Sequence, residues 1–192
     1  EDGIRDYKVT GVQTCALPIL VRRVCRGARA SRGGALMSSM VLAIDPGTTH
    51  SAFVVYRAPV ILQHGRISNI ELLRDIRIGG FGDCQHMAIE MIASYGMAVG
   101  AEVFRTCVWI GRFQEAWHGE FSEVLRRDVK LHVCQSPRAK DANVRQALLD
   151  RFGPPGTKKA PGTTYGITKD TWQALAVAVT WDDKRRDDHG LQ

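Results

Sequence analysis

The stretch VLAIDPGTTHSAFVVY, residues 41–56, predicts two β-strands joined by a tight turn. Val41–Asp45 and Ser51–Tyr56 are rich in the β-branched and aromatic residues that favour strands. Pro46-Gly47 between them suits a reversal of the chain. A carboxylate, Asp45, therefore stands where a buried strand ends. That position contributes little to packing, so it indicates chemistry.

The chain after this hairpin predicts an α/β domain with a mixed β-sheet that starts with three antiparallel strands. The buried-looking run Met87–Ile92 is typical of a strand covered on both faces. Apolar spacing and the closing Gly119 and Gly153 predict helices. The remaining predicted elements are a strand over 59–66, a short helix capped by Ser68 and running to Arg77, a helix over 98–117, a short strand over 129–133, a helix over 138–152 and a last helix capped by Thr168 and running to about Asp183.

The first 39 residues differ from the rest of the chain. Residues 11–19 resemble the translation of a sequencing-adapter oligonucleotide, and residues 21–34 are rich in arginine. A transit peptide or a basic nucleic-acid-binding arm has a similar composition. We expect residues 1–39 to be non-native or disordered, the true start to be Met37 or Met40, the folded domain to span 40–183 and residues 184–192 to form a disordered tail.

The net charge of +6 is concentrated in this extension, where seven Lys and Arg face three Asp and Glu. The other 153 residues carry 19 basic and 17 acidic side chains. Nucleic-acid binding would therefore depend on a local basic patch rather than on the overall charge. The five cysteines show no zinc-binding spacing, and no apolar run approaches the roughly 20 residues that span a membrane. We expect a cytoplasmic protein without a membrane partner.

Three carboxylates occupy positions that packing does not require. Asp45 ends the first strand, Glu90 lies inside a buried strand, and Asp170 stands in the first turn of an apolar helix. Structural alternatives are a turn-stabilising role for Asp45, an ion pair for Glu90 and a helix-dipole contact for Asp170. If the three meet at one end of the sheet, their mutual repulsion calls for a cation, and Mg²⁺ or Mn²⁺ prefers such oxygen ligands.

The order of these segments resembles the RuvC-like Holliday junction resolvases of the ribonuclease H-like superfamily, particularly compact phage-type members. The resemblance covers residues 40 to about 181. It is carried by IDPG at 44–47, IE at 89–90, RAKDANVR at 138–145 and DTWQALAVA at 170–178.

This resemblance implies a ribonuclease H-like fold and a metal-dependent endonuclease acting on branched DNA, usually as a homodimer. Asp45, Glu90 and Asp170 would hold Mg²⁺ or Mn²⁺, with two ions expected, and Lys140 would face the scissile phosphate. A further set of residues would bind DNA, by phosphate contacts or, for the tyrosine, by stacking on an unpaired base: Arg138, Lys140, Arg145, Lys158, Lys159 and Tyr95.

One position departs from the family pattern. Resolvases of this kind usually carry a second acid three residues after the first on the last helix, and Gln173 stands there. An amide cannot neutralise a cation, which weakens the expectation of a second metal ion. Asp141 is a candidate substitute, although an acid at a helix start is commonly a capping charge.

Three other functions are compatible with the sequence. A non-cleaving nucleic-acid-binding relative fits the Gln173 substitution, and a ribonuclease H-like nuclease that processes ribosomal RNA precursors shares the same acids. The Asp45-Pro46-Gly47-Thr48-Thr49 turn also resembles the phosphate-binding turn of actin-like ATPases. Those ATPases need two such domains, which a chain of this length does not supply.

Overall fold

The computed structural model describes residues 39–94, 96, 98–188 and 190. They form a five-stranded sheet with helices on both faces. The predicted N-terminal extension, apart from its last residue, and the predicted base-stacking residue Tyr95 lie outside the described residues. The elements are β1 Val41–Asp45, β2 His50–Arg57, β3 Val60–Ser68, α1 Asn69–Arg77, β4 His86–Met91, α2 Ala101–Ala116, β5 Glu120–Leu125, α3 Arg126–Cys134, α4 Asp141–Phe152 and α5 Thr171–Asp188.

The sheet has the strand order β3-β2-β1-β4-β5. β1, β2 and β3 pair antiparallel through short connections, whereas β4 runs parallel to β1 and β5 runs parallel to β4. The predicted mixed sheet with an antiparallel three-stranded start is therefore confirmed. Because β1, β4 and β5 are parallel, their carboxyl ends lie at the same edge of the sheet.

Alternating side chains divide the core between the two faces of the sheet. Val41 and Ala43 of β1 pack with Ala88 of β4 against α3, α4 and α5. Leu42 and Ile44 point to the other face, where they pack with α1 and α2. Asp45 lies two residues after Ala43, and Glu90 lies two residues after Ala88. Both carboxylates therefore lie on the face that α3, α4 and α5 cover.

The fifth strand is the main difference from the sequence prediction. Residues 129–133 were expected to form a strand, but they belong to α3, and the strand is β5, Glu120–Leu125. Val129 is buried, Leu131 is 47% exposed, and Val133, four residues after Val129, packs at the edge of the same core. This spacing is helical, so the apparent alternation of apolar residues was misleading.

The last two helices also differ in their bounds. α4 begins at Asp141 rather than Arg138, with Lys140 as its N-cap residue. Asp170 directly precedes α5 instead of lying in its first turn, and the Asp170 carbonyl accepts a hydrogen bond of 3.1 Å from the Ala174 amide. α5 continues to Asp188, so residues 184–188 are helical and do not belong to a disordered tail.

Among the described residues, no helix is both long and apolar enough to cross a membrane.

Candidate active site

Asp45 and Glu90 are neighbours at the carboxyl ends of two parallel strands. Ile44 of β1 pairs with Ile89 of β4, so the next residue on each strand is one of the two acids. Both follow the same alternation and lie on the same face of the sheet. The strand register therefore places β1 beside β4 and brings these two acids together.

Hydrogen bonds from buried polar groups stabilise the turn after Asp45. The Ser51 hydroxyl donates to Oδ1 of Asn69 at 2.7 Å, and Nδ2 of Asn69 donates to the Gly47 carbonyl at 2.9 Å. A Cβ on Gly47 would lie 2.3 Å from the His50 carbonyl oxygen. The turn therefore requires glycine at position 47, and these bonds fix where β1 ends.

Arg126, the first residue of α3, joins two of the site's carboxylates. Its Nη1 donates to Oε1 of Glu90 at 2.8 Å, and its Nη2 donates to Oδ1 of Asp141 at 3.0 Å. Nζ of Lys130, one helical turn further along, lies 3.5 Å from the same oxygen of Asp141. β5 places these cations, because α3 begins directly after this strand ends beside β4.

Asp170 has a different cation as its partner. Nε of Arg66, on β3, donates to Oδ2 of Asp170 at 2.9 Å, and both side chains are about half exposed, at 48% and 51%. An exposed pair of this kind is weak. Asp170 is therefore held loosely at the mouth of the site.

Three of the four acids line a cavity of about 560 Å³, and Glu90 is not among its lining residues. Asp45, Asp141 and Asp170 line it, together with Gln173, which is buried on the first turn of α5. The remaining lining residues include Arg126, Arg145, Lys169 and Trp172. Acids and bases thus share one concave surface, as expected of a site that binds cations and anions together.

Burial and mutual repulsion shift the carboxylates' proton affinities. Burial, followed by the negative charge of Glu90, raises the pKa of Asp45 to about 8, against the lowering effect of Arg126. Burial also raises the pKa of Glu90, and Arg126 opposes this shift. Such shifts are typical of functional sites, where placing acids together is costly unless a cation joins them.

The donor set fits a divalent metal ion, although the described residues contain no group of three ligand-type side chains that would hold one as they stand. Glu90 is 5% exposed, and its Oε2 is buried without a hydrogen-bond partner. An orphaned carboxylate oxygen is unusual in a folded protein and calls for an explanation. A hard cation bound by this oxygen and by Asp45 would provide it.

Of the basic residues predicted to bind DNA, Arg145 lines this cavity and the others do not. Arg145 lines it, with Cζ 5.7 Å from the centroid of the Trp172 ring. Lys140 directly precedes Asp141, and it is exposed, as is Arg138. Lys158 and Lys159 occupy the exposed tip of a small hairpin closed by hydrogen bonds of 3.0 and 3.1 Å between Thr157 and Ala160. Their roles in DNA binding stay predictions.

Sequence reasoning missed three cations of the site. Arg66 pairs with Asp170, Lys130 pairs with Asp141 of the next helix, and Arg126 bridges two acids. The sequence gives little signal for Arg126, because the apolar residues of the strand before it, Phe121, Val124 and Leu125, do not alternate.

Solved structures share this architecture. A structure of Thermus thermophilus RuvC matches with a TM-score of 0.56 and 18% sequence identity over 77% of this chain and 96% of that chain. T. thermophilus RuvC in complex with a Holliday junction substrate matches with a TM-score of 0.58 and 17% identity over 78% and 96%. No family model and no curated protein matches the sequence.

The chain therefore has an α/β fold of the ribonuclease H-like class, as predicted. Within that class the fold is RuvC-like.

Proposed function

We propose that this protein is a divalent-metal-dependent nuclease that cleaves phosphodiester bonds in branched DNA. The observation that carries the proposal is the convergence of Asp45, Glu90, Asp141 and Asp170 on one site, from two strand ends and two helix starts. Burial and the charges of the other three acids raise the pKa of Asp45 to about 8. Clustered, buried carboxylates are costly without cations, and Asp45 forms no ion pair within the described residues.

Asp45, Glu90 and Asp170 would hold Mg²⁺ or Mn²⁺. Divalent ions, when bound, stabilise the charge that develops on a phosphate during hydrolysis. The chain's own part is to hold its carboxylates at one edge of the sheet and to present cations to the DNA backbone. Lys140, the N-cap residue of α4, directly precedes Asp141, and Arg145 in the same helix lines the cavity.

The fold supports a branched substrate, since one solved neighbour is RuvC in complex with a Holliday junction substrate. A four-way junction is two-fold symmetric, and a homodimer would present two sites to it. Lys158 and Lys159, at a hairpin tip beyond the cavity, would extend the contact along the DNA backbone. Sedimentation equilibrium should give a mass of two chains, whereas a monomer over the working concentration range would contradict the dimer.

A non-cleaving junction-binding protein is the second candidate, and Gln173 favours it. This amide lines the cavity at the place where the resolvase pattern has an acid. Arg126 also occupies one oxygen of Glu90. A protein of this kind would bind four-way junctions in EDTA and would leave them intact when Mg²⁺ is added.

The test compares synthetic four-way, Y-shaped and plain duplex DNA of matched length, each incubated with Mg²⁺ or Mn²⁺. We expect paired nicks at the branch point of the four-way junction and at least tenfold slower cleavage of the duplex. Equal cleavage of all three substrates would remove the branched-DNA part of the proposal. Tight junction binding without any cleavage would establish the second candidate.

A further inference from the structure

We propose that the site binds one divalent ion per chain and that the Arg126 guanidinium takes the place of a second. This inference rests on the proposed function and deepens it, because it specifies how many metal ions bind and which carboxylates a side chain of the protein neutralises instead. It also revises the expectation of two ions drawn from the resemblance.

The two carboxylates that Arg126 joins come from separate parts of the fold. Glu90 lies on β4 and Asp141 begins α4, and one guanidinium reaches both, at 2.8 and 3.0 Å. A planar guanidinium with its donors in a fixed fork is suited to this bridging geometry. Arg126 therefore does what a bridging ion would do, namely hold two carboxylates that would otherwise repel each other.

The oxygens that Arg126 leaves free indicate where one ion would bind. Oε1 of Glu90 accepts from Arg126, while Oε2 is buried and accepts no hydrogen bond. Asp45, the next acid along the sheet edge, forms no ion pair among the described residues, and the charge of Glu90 is the largest electrostatic influence on it. One buried oxygen and one unpaired carboxylate, together with the loosely held Asp170, are the donors that remain.

The charge balance of the site also supports a single divalent ion. Four carboxylates, Asp45, Glu90, Asp141 and Asp170, are met by three cations of the chain: Arg66, Arg126 and Lys130. One divalent ion would bring this cluster to a net charge of +1, whereas two would bring it to +3. Gln173 adds no charge at the position where the family pattern supplies an acid, so the chain offers no further carboxylate to offset a second ion.

The number of bound ions tests the inference without reference to activity. Mn²⁺ is titrated into the full chain, free Mn²⁺ is measured by electron paramagnetic resonance, and bound ions per chain are counted. The wild type should bind one ion. Arg126→Gln should bind two, because it frees Oε1 of Glu90 and removes one positive charge from the cluster, while Lys130 still pairs with Asp141. Arg127→Gln is the matched control, because Arg127 is exposed, is the next residue of α3 and forms no ion pair within the described residues.

The outcomes separate this inference from the proposed function. Two ions on the wild type would overturn the inference and leave the nuclease proposal standing. One ion on both the wild type and folded Arg126→Gln would also overturn it, since Arg126 would then not stand in for an ion. If the wild type binds no Mn²⁺ at millimolar concentration, both proposals fail. The wild-type count decides between one ion and two even if Arg126→Gln does not fold.

Discussion

Arg126 and Glu90 form the central ion pair of the site, with Nη1 of the arginine donating to Oε1 of the acid at 2.8 Å. The arginine starts α3 and the acid lies in a buried strand, so the pair ties a helix to the sheet edge. Oε2 of the same Glu90 remains buried without a partner. Without metal, Arg126 is therefore the principal counter-charge of this carboxylate.

Loss of this pair should destabilise the metal-free protein. Arg126→Gln leaves a 5% exposed carboxylate without its cation, and hydrogen bonds to charged groups contribute about 1.5–3 kcal/mol each. We expect the free energy of unfolding in EDTA to fall by about 2 kcal/mol. Urea denaturation measures the change, and Arg127→Gln should lie within about 0.5 kcal/mol of the wild type. Equal stability of the two variants would contradict the assigned role of the pair.

Asp45 should make the metal-free protein less stable as the pH rises. Its pKa is raised from 3.8 to about 8 in the folded state, so the native form binds this proton more tightly than the unfolded chain does. The proton's stabilising effect is fully present below pH 4 and is lost as the pH rises towards 8. The Asp45→Asn variant has no carboxyl at this position, so it lacks this contribution to the pH dependence of stability.

Urea denaturation in EDTA at pH 5 and pH 8 tests this account. The free energy of unfolding of Asp45→Asn minus that of the wild type should be larger at pH 8 than at pH 5 by about 2 kcal/mol or more. A constant difference between the variants across this range would show that the Asp45 carboxyl is not perturbed by burial and by its neighbours.

The Arg66–Asp170 pair should contribute little to stability. Both side chains are about half exposed, and exposed ion pairs are typically worth less than about 1 kcal/mol. Arg66→Gln should therefore change the free energy of unfolding by less than that amount, while Arg126→Gln changes it more. A loss above about 2 kcal/mol for Arg66→Gln would mean that Asp170 is anchored more firmly than its exposure indicates.

The hairpin tip should contribute to DNA binding through charge alone. Replacing Lys158 and Lys159 with alanine should weaken binding to every DNA form and reduce the slope of log affinity against log salt by about 2. Fluorescence anisotropy between 50 and 200 mM salt, in EDTA, measures both. The matched control, Arg74→Ala with Arg77→Ala, removes two charges from α1 on the opposite face of the sheet and should leave the slope unchanged.

The sequence predicted the parts of the fold that local pattern determines. The β1–turn–β2 hairpin is visible in residues 41–56, and Ser68 caps α1 through a reciprocal bond with Glu71, as its position before the helix indicates. Glu90 was identified because a lone carboxylate in an apolar strand is costly. These features depend on neighbours in the chain, which a sequence displays directly.

The cations of the site could not be predicted because they depend on tertiary structure. Arg66 meets Asp170 across 104 residues of chain, and Arg126 meets Glu90 across 36. β5 is an edge strand with Phe121 44% exposed, so its apolar signal was weaker than that of Val129–Val133. Once that helix was mistaken for a strand, Arg126 no longer fell at the sheet edge where it acts.

The most direct test of the nuclease proposal is metal-dependent nicking of a four-way junction by the wild type and by Asp45→Asn. The account predicts cleavage that requires Mg²⁺ or Mn²⁺, is lost in EDTA, and falls at least 1,000-fold in Asp45→Asn (about 4 kcal/mol in activation free energy), while junction binding in EDTA is retained. Cleavage that persists in Asp45→Asn at the wild-type rate, or that persists in EDTA, would contradict it.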